Sequence, residues 1–126
     1  MMPWVETMGH TIAPFRFRAP GRKRSRNLDL LVDTGSTYTW IDARLLRDLG
    51  IAPTRLGKFE TIEGREAVRR LGEAVVSYGG DEATTIVVFA RPTDAQVLGV
   101  HALEGLRFGV DPATKRLRRL RTVLAV

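Results

Sequence analysis

The sequence predicts an all-β domain that carries one or two short helices. Three observations support this. Apolar and polar residues alternate over several runs of five to eight residues, the period of a half-buried strand. Breaks rich in glycine, proline and aspartate separate those runs, as at Ala19-Pro20-Gly21, Gly79-Gly80-Asp81 and Asp111-Pro112. Only two stretches, 43–49 and 101–106, read as helix, and both are short.

The elements follow in order. Thr11 to Arg18 alternates, with Ile12, Phe15 and Phe17 as its apolar positions, and Ala19-Pro20-Gly21 ends it. Asn27 to Val32 sets Leu28, Leu30 and Val32 against Asn27 and Asp29, as a strand entering a core does. After a turn at Asp33-Thr34-Gly35-Ser36, Thr37 to Ile41 is rich in β-branched and aromatic residues and reads as a strand. Asp42 can accept a backbone N–H and so cap a helix over Ala43 to Leu49, with Gly50 as its stop. Phe59 to Arg70 reads as a hairpin with its tip at Glu63-Gly64-Arg65. Glu73 to Tyr78 and Ala83 to Ala90 form a second hairpin about the glycine turn. A loop at Arg91-Pro92-Thr93-Asp94 leads to Val97-Leu98-Gly99. The helix over His101 to Leu106 follows and is expected to close around Gly109. A last hairpin turns at Asp111-Pro112-Ala113-Thr114, and Thr122 to Val126 reads as an apolar terminal strand, which needs a pairing partner. The first half reads strand, sharp turn at Asp33-Thr34-Gly35, strand and helix, and the second reads strand at 84–90, an apolar pair with Gly99 and then helix, a weak internal repeat. The chain divides into an amino-terminal extension, residues 1–10, and one domain, residues 11–126.

Composition narrows the function classes. The 126 residues suit a single modest core, and 44% hydrophobic with 27% charged residues is ordinary for a globular domain. There is no cysteine, which removes disulfides, thiolate metal sites and a cysteine nucleophile. Only His10 and His101 could supply imidazole, so no metal site and no cofactor are expected. No apolar run reaches the roughly 18–20 residues that span a bilayer, and no signal peptide is visible, so a cytoplasmic protein without a membrane partner is expected. The net charge of +6 is concentrated in 22–26 and 115–121. Neither cluster is interleaved with aromatic side chains, so nucleic acid is not expected as a partner.

The chemistry concentrates in Leu30-Leu31-Val32-Asp33-Thr34-Gly35-Ser36. A bare Asp-Thr-Gly arises by chance in roughly one chain in 40 of this length; the apolar run before it and the hydroxyl after it lower that chance. Peptide hydrolysis without a metal or covalent intermediate needs one group to deprotonate water and another to protonate the amide nitrogen. Two carboxylates held close together do both, because they cannot easily be ionised at once and so share a proton. The chain has one such motif and no second Asp-Thr/Ser-Gly. A symmetric dimer would bring two copies of Asp33 to one axis.

With this motif, with Val97-Leu98-Gly99 downstream, with the 101–106 helix and with the Val110-Asp111-Pro112 turn, the sequence resembles the retropepsin-like aspartic peptidases, bacterial members included, over roughly residues 11–121. The resemblance implies a closed β-barrel, a homodimer and aspartic endopeptidase activity on peptide or protein substrates. It implies catalytic roles for Asp33, Thr34 and Gly35, with Thr34 bonding across the dimer axis and Gly35 offering its N–H. Ser36 would bond the outer carboxylate oxygen. Leu98 and Gly99 would form the loop that packs against the motif, where a Cβ would collide. Ser36, Thr37, Tyr38, Trp40 and Val97 would line the substrate, and Glu63, Gly64 and Arg65, with Glu66, would form the flap that closes over it. Trp40 would reshape a subsite.

The match is incomplete. Retroviral members often carry an Asp two positions after the motif glycine, paired with an Arg after the downstream glycine. Here those positions hold Thr37 and Val100, so that ion pair does not carry over. His101 stands where relatives usually show Asp or Asn and reads as a hydrogen-bonding residue at a helix start. The charged flap also differs from the glycine-rich viral one. The alternatives are a catalytically inactive dimerisation or peptide-binding module on the same fold, a nucleic-acid binder acting through the 22–26 and 115–121 basic clusters with steeply salt-dependent affinity, and packing roles alone for Tyr38 and Trp40. Trp4 reads as an anchor of the amino terminus. Asp29 and Asp42 are not catalytic candidates, the first lying on a strand and the second capping a helix.

Overall fold

A computed structural model describes residues 5–7, 10–61 and 63–121. The strands are β1 (Val5–Thr7), β2 (His10–Arg18), β3 (Ser25–Val32), β4 (Thr39–Asp42), β5 (Pro53–Glu60), β6 (Glu66–Tyr78), β7 (Asp81–Ala90), β8 (Val97–Leu98), β9 (Phe108–Val110) and β10 (Leu117–Arg119). The helices are α1 (Ala43–Asp48) and α2 (Val100–Leu106). The mostly-β architecture with two short helices is the one the alternation predicts. The expected strand at 122–126 and the anchor role of Trp4 lie outside the described residues.

Eight strands form one sheet in the order β1-β2-β3-β8-β4-β7-β6-β5, and β9 and β10 form a separate ribbon. The expected closed barrel is corrected here. The sheet curls until β2 meets β6, but only Arg16–Arg18 pair there with Val75–Ser77. Away from that contact β2 pairs through His10–Ile12 with β1 and β6 pairs through Glu66–Gly72 with β5, and β1 and β5 stand as the ends of the sheet.

The internal repeat becomes a cross-pairing. Strand β3 runs parallel to β8 and β4 runs parallel to β7, so each half of the repeat supplies one strand to each pair. This arrangement sets the Asp33 turn beside the Val97–Gly99 segment although 64 residues separate Asp33 from Val97 along the chain.

Beneath the sheet lies one core. Phe15, Phe17, Ile41, Leu46, Val76, Val87, Leu98 and Leu106 are all fully buried. The two phenylalanines alternate on β2 as read from the sequence, and the helices contribute Leu46, Ala102, Leu103 and Leu106. Helix α1 is capped as expected: Asp42 accepts Arg44 N–H at 2.8 Å, and Gly50 takes a φ of +79° past the end.

Several boundaries differ from the sequence reading, β5 beginning at Pro53 rather than Phe59 among them, and four of the differences have a clear physical reason. Strand β6 runs unbroken through Leu71-Gly72, because it pairs with β5 over its first half and with β7 over its second. Gly72 allows this crowding: a Cβ there would lie 2.8 Å from the carbonyl oxygen of Ala52. Strand β4 starts at Thr39 rather than Thr37, since the carbonyls of Ser36 and Thr37 are bonded to Val100 and His101 instead of a sheet neighbour. Helix α2 ends on Arg107 in the left-handed conformation, and Gly109 lies within β9, paired with Arg118. The last turn runs on to Arg116, whose carbonyl accepts Asp111 N–H, while the Asp111 carboxylate accepts from Ala113 and Thr114.

Candidate active site

The Asp33 turn is fixed by two backbone–backbone bonds and one from a backbone N–H to the Asp33 carboxylate. Asp33 N–H donates to the Leu98 carbonyl at 2.9 Å, directly beyond the last parallel pair, Val32 with Leu98. Ser36 N–H closes the turn on Asp33 O at 3.1 Å, and Gly35 N–H donates to Asp33 Oδ1 at 2.9 Å. The carboxylate is therefore aimed by its own turn. Asp33 is half-buried while Thr34 and Gly35 are exposed, so the motif stands at the molecular surface.

The two halves of the repeat lock together at Gly99. Its N–H donates to the buried Thr39 hydroxyl at 3.0 Å, Val100 N–H donates to Ser36 O at 2.8 Å, and His101 N–H donates to Thr37 O at 3.0 Å. A Cβ at residue 99 would lie 2.3 Å from the Tyr38 carbonyl oxygen and 2.9 Å from that of Ser36. Backbone bonds thus join the loops at Thr37 and Val100, the two positions that lack the retroviral ion pair.

Ser36 departs from its expected role. Its hydroxyl donates to the Tyr38 carbonyl at 2.8 Å and so braces the loop rather than the Asp33 carboxylate. His101 meets the buried Thr85 hydroxyl through Nδ1 at 3.2 Å, one residue into α2, as a hydrogen-bonding residue near a helix start.

Tyr38 and Trp40 join an aromatic cluster whose centre the sequence did not mark. Phe59, on β5, packs edge-on against Trp40 with ring centroids 5.0 Å apart and against Tyr38 at 6.2 Å. Tyr38 also meets the His101 ring at 6.3 Å. All three aromatic residues are half-buried, and Val97, opposite Trp40, is buried. The available sequence signal for Phe59 was an apolar ring between two charged residues, Lys58 and Glu60, on a strand-like run. Glu63, Gly64 and Arg65 sit at the exposed tip between β5 and β6. Gly64 takes a φ of +81°, and Thr61 closes the turn by accepting Arg65 N–H at its hydroxyl and donating its own N–H to Arg65 O. The site therefore gathers residues 33–40 and 97–101 into one bonded unit, with Phe59 bringing the hairpin against it.

A family model described as aspartyl protease matches residues 19–102. The chain belongs to the aspartyl protease family. The match covers two thirds of the chain and spans the Asp33 turn, the β5–β6 hairpin and Gly99. This aspartyl protease family lies in the retropepsin-like clan, which the motif and its downstream partner had indicated. No curated protein matches the chain. Among the described residues, no helix is long and apolar enough to cross a membrane.

Two carboxylates beside the site carry perturbed proton affinities. Hydrogen bonds from the Arg44 guanidinium and backbone N–H hold Asp42 down, from 3.8 to about 2. Hydrogen bonds from Arg69 hold Asp94 below the usual carboxylate range, against the opposing effect of burial. The unfolded chain therefore binds more protons than the native one between the ordinary and the lowered values. Stability from these groups is present above about pH 4 and is lost as pH falls toward 2. Urea midpoints taken from pH 6 to pH 2.5 should stay level to about pH 4.5 and then fall. In Asp94→Asn the midpoint at pH 6 should be lower and the acid fall shallower.

Proposed function

We propose that this protein is an aspartic endopeptidase in which one water molecule is activated between two Asp33 carboxylates, one from each subunit of a homodimer. The observation that carries the reading is a single surface Asp-Thr-Gly turn, its carboxylate aimed by Gly35 N–H and its backbone tied to Leu98, in a chain with no second motif. In the reaction, the ionised carboxylate takes a proton from water while the protonated one donates to the substrate carbonyl oxygen. The hydroxyl adds to the carbonyl carbon, and the tetrahedral intermediate collapses as a carboxyl group protonates the departing nitrogen. The titration belongs to the pair of carboxylates rather than to either one. No metal and no organic cofactor takes part.

The aromatic cluster supports a specificity role for Tyr38, Trp40 and Val97, with Thr37 beside them and Glu63, Gly64 and Arg65 closing over the substrate. With Phe59 against it, Trp40 would fill much of a subsite and favour smaller apolar side chains. Trp40→Ala should move cleavage in a peptide library toward bulkier residues, with kcat/KM for small ones falling about tenfold. An unchanged cleavage profile would assign Trp40 to packing alone.

The testing experiment is cleavage of a mixed peptide pool across pH 4–8 by wild type and by Asp33→Asn. A second reading, an inactive dimerisation or peptide-binding module, is favoured by Thr37 and Val100 in place of the ion pair and by the charged hairpin tip. It predicts peptide binding with no cleavage at any pH.

A further inference from the structure

Among the ion pairs between described residues, only Arg69–Asp94 has both side chains largely sheltered, with 11% and 17% exposed. The contact is bidentate. Arg69 Nε donates to Asp94 Oδ2 at 2.7 Å and Nη2 donates to Oδ1 at 2.9 Å, the fork geometry that a guanidinium offers a carboxylate. At this exposure, screening by salt is weak.

The position of the pair gives it a role. Arg69 stands opposite Gly57 on β5, so it shares the inward face of the hairpin with Phe59 and Leu71. Asp94 closes the Arg91–Asp94 turn, where its N–H donates to Arg91 O at 2.9 Å and its carboxylate accepts Arg91 N–H at 2.8 Å. Two residues on, the Gln96 side-chain Oε1 accepts Asp42 N–H at 3.0 Å and ties the same segment to the end of β4. Two residues further, Leu98 O holds Asp33 N–H. Five consecutive residues thus run from the ion pair to the carbonyl that positions Asp33.

We infer that Arg69 and Asp94 are positioning residues that latch the base of the β5–β6 hairpin to the segment leading into Val97–Gly99, so that only the outer part of the hairpin opens for substrate. The inference rests on the peptidase reading and on the hairpin as its flap. Arg69 lies five residues from Gly64, about 16 Å along an extended strand. Beyond the latch, Phe59 against Trp40 and Tyr38 makes the aromatic contacts that hold the hairpin down. A fixed base keeps Phe59 over the Trp40 and Tyr38 rings, and substrate binding then depends on the latch while bond cleavage at Asp33 does not.

The test combines kinetics with hydrogen exchange on Arg69→Met, Asp94→Asn, the double variant and Arg69→Lys. Arg69→Met and Asp94→Asn should each raise KM about tenfold with kcat within about twofold. Amides of residues 53–60 and 66–70 should exchange faster in both, while those of the β2–β3 hairpin stay as in wild type. The double variant should be no worse than the poorer single, since both remove one contact. Arg69→Lys keeps the charge but loses the fork and should fall between, which also covers an unfolded Arg69→Met. Unchanged exchange in 53–70, additive losses, or a fall in kcat with KM unmoved would overturn the latch. If wild type cleaves no peptide, the peptidase reading fails on its own, and the exchange data still decide whether the pair holds the hairpin.

Discussion

Replacing Asp33 with Asn should abolish peptide cleavage, lowering kcat by about 10³-fold or more while the fold survives. The size follows from what is removed. In a dimer the substitution takes away both carboxylates at once, and with them the base for water and the acid for the leaving nitrogen, steps that each contribute roughly 10²–10⁴. The fold should survive because Asn keeps a side-chain oxygen for Gly35 N–H, and the bonds of Asp33 N–H to Leu98 O and of Ser36 N–H to residue 33 are main-chain. Circular dichroism and the urea midpoint should therefore match wild type within about 0.5 kcal/mol. Residual cleavage within tenfold of wild type would place the chemistry elsewhere.

Gly99→Ala should be the most destabilising single-methyl change in the site. Gly99 sits at φ −89° and ψ 170°, a conformation open to any residue, so glycine is needed there for space alone. The added Cβ would lie 2.3 Å from Tyr38 O and 2.4 Å from Tyr38 C. Those are backbone atoms, which no rotamer change can move aside. The loop has to shift, and the shift strains the bonds of Gly99 to Thr39, Val100 to Ser36 and His101 to Thr37. A loss of about 3 kcal/mol in urea unfolding is expected, with cleavage lost as Leu98 O moves from Asp33. A cost under about 1 kcal/mol would mean that the two loops do not pack as closely as described.

How much of this could be read in the sequence depended on how local the cause was. The Asp33 turn, the Asp42 cap of α1, the Gly79-Gly80 turn and the fit at Gly99 each follow from residues within a few positions or from a family motif, and each formed as expected. Features set by distant partners stayed hidden. The continuity of β6 through Leu71-Gly72 depends on two neighbours at once, β5 and β7. Ser36 could bond the carboxylate or a carbonyl, and only the folded loop selects Tyr38 O. Barrel closure turned on how β2 and β6 divide their length among neighbours, which alternation does not record. Arg69 and Asp94 lie 25 positions apart, each ordinary in its own surroundings.

The proposal stands on two subunits sharing one site, and a mixing titration tests it most directly. Wild-type chain is held at constant concentration while Asp33→Asn chain is added in increasing amounts and allowed to exchange. If each site needs an Asp33 from both subunits, mixed pairs are dead and cleavage falls progressively toward zero as the variant comes into excess. Cleavage that stays constant across the titration, from wild-type chains demonstrably paired with the variant, would mean that one Asp33 suffices.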